Sequence, residues 1–232
     1  MLQNNAGDTE QKRAAILIGP AGSGKTTLAR GLAADGVCVI ETGNLLEVEV
    51  RGDTELGRRI KPYKVAGELV PSELVKKVIS AELARSNSRF VLFDGFPRSL
   101  DQVTMLDQLF SENALQLSVI IEIKADLEKS IRRLSGRRIC SQCGTLFNLY
   151  SSIPAAVPKV EGICNRCGGK LVQRGDDDEN LVRHRFATFQ RETVPVIEYL
   201  EKEYPKLIYA EDAEAPLLEV QERIRSRLHN KV

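Results

Sequence analysis

The chain has 232 residues, 42% of them hydrophobic and 28% charged, a balance that suits a globular protein with a full core and excludes a disordered or fibrous chain. Its 33 Lys and Arg against 32 Asp and Glu leave a formal charge of +1, so no global field draws it to nucleic acid or to an anionic membrane. The first residues, MLQNNAGDTEQKR, lack the apolar stretch of a secretory leader, and no apolar run nears the ~18 residues of a membrane span, so a cytoplasmic chain without membrane or nucleic-acid partners is expected.

In chain order, residues 1–12 read as a flexible tail. Apolar runs at Ala14–Ile18, Val37–Ile40, Phe90–Phe93, Val119–Ile123 and Leu207–Tyr209 do not alternate with polar residues, which predicts strands buried on both faces, with Cys38 as a buried thiol. Between and after them, helical patterns cover Lys25–Ala34, Ser72–Arg85, Leu100–Phe110, Leu127–Leu134, Glu179–Glu203 and Pro216–Leu228. Strand alternating with helix predicts an α/β fold with a parallel sheet and right-handed crossovers. Two stretches break the rhythm. Glu41–Gly67 is helical and polar, and Arg137–Gly175 holds Pro154, Pro158, several glycines and all the cysteines except Cys38. Both read as insertions, where mobile lids are commonly found.

The first motif with chemistry in it is GPAGSGKT, Gly19 to Thr26, which follows the first strand and opens the first helix. Glycines such as Gly19, Gly22 and Gly24 let backbone N–H groups turn onto an anion, the helix N-terminus adds partial positive charge, and Lys25 adds a full one. A nucleoside triphosphate is the expected ligand. At the end of the third strand, FVLFDGFPRS runs into Asp94, a carboxylate beside the loop that can hold Mg²⁺ directly or through water. Arg98, one turn further, offers a planar fork that suits phosphate oxygens.

The pairs Cys140/Cys143 and Cys164/Cys167 are two C-x-x-C knuckles separated by twenty residues, the spacing of a tetrahedral Cys₄ zinc site with no open position for water. Such a metal is structural: a small lid cannot bury enough apolar surface to hold its own shape. His184, between two arginines, reads as a solvated helix position and not as a catalytic one.

Together, GPAGSGKTT, TGNLL from Thr42, GELVPSELV from Gly67, DGFPR from Asp94 and RLSGRR from Arg133 resemble the adenylate kinases, and the cysteine stretch resembles their zinc-bearing long-lid bacterial form. The resemblance implies a P-loop three-layer α/β/α core over 13–40, 72–136 and 176–232 with a five-stranded parallel sheet, an acceptor-binding insert over 41–71 and a zinc-ribbon-like lid over 137–175. It implies reversible transfer of the terminal phosphoryl group of MgATP to AMP, giving two ADP, by a monomer. On the donor side it implies Gly19, Gly22, Ser23, Gly24, Lys25, Thr26, Thr27, Arg133 and Arg137; on the acceptor side, Thr42, Gly43, Leu69, Val70, Gly95, Arg98, Gln102, Arg174 and Arg185. Lys25, Asp94, Arg98, Arg133, Arg137, Arg174 and Arg185 would carry the transfer itself, and Gln102 would read the adenine edge. Asp176 and Asp177 would help to close the lid, while Asp176 with Glu179 also reads as a capping box for the long helix.

Two positions depart from the family pattern. Thr26 stands where glycine is usual; its hydroxyl either reaches Mg²⁺ or caps the helix. Glu47 stands where an arginine usually meets the acceptor phosphate, and a carboxylate there repels phosphate by about 1 kcal/mol at 4 Å in water and about 4 kcal/mol at an intermediate dielectric. Arg51 or Arg58 is expected to replace the missing charge. Rival readings change the acceptor to CMP or UMP, or make the chain a non-catalytic nucleotide sensor whose lid binds a partner; the near-zero net charge and the number of phosphate-site arginines argue against the sensor.

Overall fold

A computed structural model describes residues 12–33, 36–151, 153–173 and 175–229. The tail expected before residue 12 lies outside them, and Lys12 already belongs to the first strand. In order, the main elements are β1 (Lys12–Ile18), α1 (Lys25–Ala33), β2 (Cys38–Glu41), α2 (Thr42–Arg51), α3 (Glu55–Ala66), α4 (Ser72–Arg85), β3 (Phe90–Asp94), α5 (Leu100–Glu112), β4 (Leu115–Lys124) and α6 (Leu127–Ser135). They continue with β5 (Arg137–Cys140), β6 (Leu146–Asn148), β7 (Leu171–Val172), α7 (Glu179–Thr188), α8 (Val194–Glu203), β8 (Ile208–Asp212) and α9 (Leu217–His229).

The main sheet has five parallel strands in the order β2-β3-β1-β4-β8. Successive side chains of a strand point to opposite faces, so Ile16 and Ile18 of β1 join one apolar cluster while Ala15 and Leu17 join the other. The first cluster takes Leu74 and Ile79 of α4, Leu106 and Leu109 of α5 and Ile197 and Leu200 of α8. The second takes Leu28 and Leu32 of α1 with Val220 and Ile224 of α9. Helices therefore cover both faces, and the expected three-layer fold is observed. Each such side chain withdrawn from water contributes roughly 1.5–3 kcal/mol, which gives the strand ends a rigid base.

Register then positions the chemistry. Leu17 pairs with Asp94 across β1 and β3, and the N–H of Gly95 donates to the Leu17 carbonyl at 3.0 Å, so Asp94 stands at the strand end beside the loop that follows Ile18. Three findings differ from expectation. The helix expected over Glu179–Glu203 is interrupted by a π-helical segment, Phe189–Thr193. Pro195, just after it, has no N–H and its ring would press on the carbonyl of Arg191; the wider turn relieves that conflict. Residues 137–172 hold a small antiparallel sheet, β6-β5-β7, which the proline and glycine content hid. Cys38 lies in β2 as expected but is half-buried.

Candidate active site

The loop between β1 and α1 is built on backbone that an ordinary residue resists. Gly19 has φ 152°, and a Cβ there would lie 2.4 Å from the Ile123 carbonyl of β4, so the loop can hug the strand ends only with glycine. Gly22 and Gly24 also have positive φ. Lys25, the first residue of α1, is 8% exposed, and its Nζ donates to the Pro20 carbonyl at 2.7 Å and to Ser23 Oγ at 3.1 Å. Burial pulls its pKa down to about 7; Asp94 opposes the shift, and the charges of Arg98, Arg185 and Arg137 add to it. Three arginines from separate parts of the chain thus act on one buried ammonium, a concentration of positive charge that a polyphosphate would neutralise.

Thr26 Oγ1 donates to Asp94 Oδ2 at 2.7 Å. The hydroxyl is thus tied neither to a helix cap nor to solvent; it joins a pair of hard oxygen ligands at the rim of the phosphate loop, the donor type that Mg²⁺ takes. Ser23 is buried, while Gly24 and Thr27 are exposed. Gly95 has φ 72°, and a Cβ on it would meet Arg98 Nη2 at 2.6 Å. Arg98 is therefore folded back over a bare backbone, its Nε donating to the Gly95 carbonyl at 2.7 Å. Burial lowers its pKa, with Asp94 opposing, though a guanidinium stays charged at neutral pH. Thr193, in the π-helical segment, donates to the Arg98 carbonyl at 2.8 Å, so the irregular turn helps to hold this arginine's loop. Sequence reading missed Thr193, for which no local pattern existed.

Gln102 is 3% exposed, and its Oε1 accepts from the backbone N–H of Arg98 at 2.8 Å, which fixes the orientation of its amide. Thr42 opens α2 with its hydroxyl buried and without a partner among the described residues, and Glu41 before it contributes no side-chain cap. An orphaned buried hydroxyl costs roughly 1–3 kcal/mol unless a ligand completes it. Val70 is buried and Leu69 half-buried. Both line a cleft of about 280 Å³ whose other walls include Glu68, Asp101 and Glu192, carboxylates that make it unsuited to a phosphate.

Arg137 forks onto Asp177, with Nε 2.8 Å from Oδ2 and Nη2 in short contact with Oδ1; the Asp177 side chain is fully buried. Arg185, on α7, is half-buried. Arg133 is not drawn into this group: its Nη2 donates to the Ala213 carbonyl at 2.9 Å and pairs with Glu214, both on the turn before α9. Arg174 lies outside the described residues. The N-cap of α7 is Asp178, two residues after the position expected to cap it, accepting from the N–H groups of Asn180 and Leu181 at 3.0 and 3.4 Å. His184 is not a purely solvated position, since its Nε2 lies 3.0 Å from Glu68 Oε1. Of the two arginines expected to replace the positive charge missing at position 47, Arg58 turns to the Asp53 carbonyl and carboxylate, and Arg51 is 66% exposed with its Nε 3.8 Å from Glu47 itself.

The four sulfurs of Cys140, Cys143, Cys164 and Cys167 lie within 4.8 Å of one another. Cys140 Sγ is 3.4 Å from Cys167 Sγ, and Cys143 Sγ is 3.6 Å from Cys164 Sγ. Zinc with Zn–S bonds of about 2.3 Å has tetrahedral S···S edges of about 3.8 Å, so the cluster fits that metal. Backbone N–H groups of Cys143 and Arg166 point at Cys140 Sγ and Cys164 Sγ at 3.5 and 3.4 Å, as thiolate ligands require.

A model of the adenylate kinase family matches residues 17–204. An adenylate kinase of Acidothermus cellulolyticus is 41% identical over 186 residues, 79% of this chain and 84% of the relative. The adenylate kinase of Thermococcus kodakarensis is 35% identical over 215 residues, 92% of each chain, and that of Pyrococcus horikoshii is 35% identical over 216 residues, 92% of this chain and 94% of the relative.

Proposed function

The chain belongs to the adenylate kinase family, and from that premise we propose how its residues share the reversible transfer of the terminal phosphoryl group of ATP to AMP. The observation that carries the reading is the buried Lys25 in a glycine loop, with Asp94 and the charges of Arg98, Arg137 and Arg185 acting on it. Phosphoryl transfer asks little covalent help of a protein; it needs donor and acceptor aligned and the charge on the moving oxygens neutralised.

Lys25 exchanges the Pro20 carbonyl and Ser23 hydroxyl for phosphate oxygens of the donor, which is held by the backbone of Gly19–Thr27. The Thr26 and Asp94 oxygens would hold the Mg²⁺ that accompanies ATP, an ion that would supply neutralising charge to the donor phosphates. Arg98 faces the acceptor phosphate, with Gln102, Thr42, Gly43, Leu69, Val70 and Gly95 around the nucleoside. The orphaned Thr42 hydroxyl and the fixed Gln102 amide support a purine edge there over a smaller base. Arg137, Arg174 and Arg185 close on the transferred group. Arg133 joins the donor side by leaving Glu214.

Residues 41–71 then act as the acceptor insert and 137–175 as a lid stapled by zinc, which the sulfur spacing supports. Closure of both excludes water, so that phosphate passes to AMP instead of being hydrolysed. Resemblance to the adenylate kinases supports action as a monomer, and the two nucleotide substrates support a cytoplasmic setting. Among the described residues no helix is long and apolar enough to cross a membrane. The test is ADP formation from ATP with AMP, CMP and UMP in turn, with Lys25→Met as control: ADP from AMP, far above either pyrimidine, is expected, and equal or better use of a pyrimidine nucleotide would overturn the acceptor assignment.

A further inference from the structure

We propose that Lys64 supplies the cation that meets the acceptor phosphate from the insert side, and that Glu47 is the positioning residue that holds it; the inference rests on AMP being the acceptor. Lys64 lies in the last turn of α3, directly before the backbone that leads through Gly67 to Leu69 and Val70. Its Nζ is 2.5 Å from Glu47 Oε2 and 3.5 Å from the Gly43 carbonyl. The ammonium is therefore drawn across from α3 to the first turns of α2, and its side chain is only 20% exposed.

That turn is where the acceptor nucleotide is expected on grounds independent of Lys64. Thr42 keeps a buried hydroxyl with no partner among the described residues, and α2, ten residues long, starts without a side-chain cap, leaving N–H groups of its first turn to attract negative charge. A bare carboxylate at Glu47 would oppose a phosphate dianion. Glu47 is not bare, because Lys64 sits on one of its oxygens and Arg51 approaches the other. An ammonium has three N–H donors, so Lys64 can keep Glu47 and trade its long contact with the Gly43 carbonyl for a phosphate oxygen. Neither alternative cation is drawn in the same way: Arg58 is spent on Asp53, and Arg51 stands mostly in solvent. The acidic residue at 47 thus works as an anchor for a lysine from the facing helix, seventeen residues on.

The experiment compares AMP with adenosine, which differ only in the phosphate. Binding of each is measured by calorimetry, and the Michaelis constants for AMP and ATP by coupled assay, for the wild type, Lys64→Met, Lys64→Arg, Glu47→Gln and the pair Lys64→Met with Glu47→Arg. Lys64→Met should weaken AMP about tenfold or more, the size of a lost charge-assisted contact, leave adenosine unchanged, and raise the AMP Michaelis constant without moving that for ATP. Lys64→Arg should retain most of the affinity, Glu47→Gln should shift AMP in the same direction by less, and the double variant should regain AMP affinity because the cation now arises from α2. Equal losses for AMP and adenosine in Lys64→Met, or no loss for either, would overturn the role of Lys64. Failure of the wild type to form ADP from AMP would instead overturn the acceptor reading itself.

Discussion

The main sheet and the small cysteine-bearing sheet both hold charged side chains in place, with very different means. The main sheet buries Ile16, Leu17, Leu92, Phe93, Ile120 and Ile121 completely, under helices on both faces. Among the described residues the small sheet has a buried cluster of only Cys140, Phe147, Cys164 and Leu171, two of which are ligands of the proposed zinc, and Leu149, Tyr150, Ile153, Val160, Ile163 and Val172 around it are exposed. The first buries a lysine deeply enough to strain its ionisation; the second has too little apolar packing to hold its shape alone, a gap the proposed metal would fill. Strain is thus stored where packing is dense, and external help enters where it is thin.

The largest effect should come from removing the strained group. Lys25→Met should lower turnover by a factor on the order of a thousand or more, as loss of a phosphate-binding charge does. It should also stabilise the ligand-free protein. The folded pKa of about 7 lies below the ordinary 10.5, so between these values the unfolded chain binds a proton that the folded one has lost. Stability linked to Lys25 therefore rises with pH across that window, and the penalty is fully present below about pH 7. Urea denaturation should show Lys25→Met more stable by on the order of a few kcal/mol at pH 6.5, with the gap shrinking toward pH 10. A wild type that is more stable than the variant at pH 6.5 would count against a strained lysine.

Next in size is the metal. Removing zinc with a chelator, or replacing Cys164 with serine, should lower the melting temperature by about 4–8 °C if the loss is about 2 kcal/mol, while turnover at low temperature falls less. Metal content by atomic absorption and a melting curve on the same sample decide it; an unchanged curve after confirmed metal loss would mean that the small sheet holds itself together.

A smaller effect joins the two regions. Arg137 and Asp177 tie β5 to the turn before α7, and the carboxylate is fully buried. Breaking one partner of such a pair costs about 3–5 kcal/mol because the other charge stays buried. Asp177→Asn keeps the shape and a hydrogen-bond acceptor, so about 1–2 kcal/mol of stability is expected to go, together with a larger fall in turnover as Arg137 loses its orientation. Denaturation and steady-state kinetics separate the two losses; a loss of stability with turnover intact would make the pair structural only.

The same contrast decides what could be read from the sequence. β1 and β3 were legible because burial on both faces leaves an uninterrupted apolar run, as in Phe90–Phe93, whereas the mostly exposed β8 was legible only at its start, and the phosphate loop was legible because its glycines, lysine and helix follow one another. The cysteine spacing announced a metal cluster, yet β6 and β7, of three and two residues, are too short to leave any periodicity. The π-helical break at Phe189–Thr193 was illegible because Pro195 reads equally as a helix end. Above all, the pairing of Glu47 with Lys64 joins two helices across seventeen residues of chain, and the sequence offered Arg51 and Arg58 as the nearer cations to replace the missing charge. Contacts made by local order can be read; those made by docking one element against another cannot.

His184 gives the smallest expected effect and the finest test of that last point. Its Nε2 meets Glu68 Oε1 at 3.0 Å, Glu68 Oε2 lies 3.4 Å from Arg191, and Gly67 turns with φ 71° directly beneath the imidazole. The contact fastens the proposed acceptor insert to the helix that carries Arg185, although both partners are about two-fifths exposed. An exposed pair of this kind contributes about 0–1 kcal/mol, so His184→Ala should leave the melting temperature within about 2 °C. The Michaelis constant for AMP should nevertheless rise about two- to threefold, because a loosened insert spends less time closed over the acceptor. The constant for ATP should not move. A shift in both constants would mean that the substitution disturbs Arg185 through α7, and the fastening would then belong to the phosphate cluster instead of the insert.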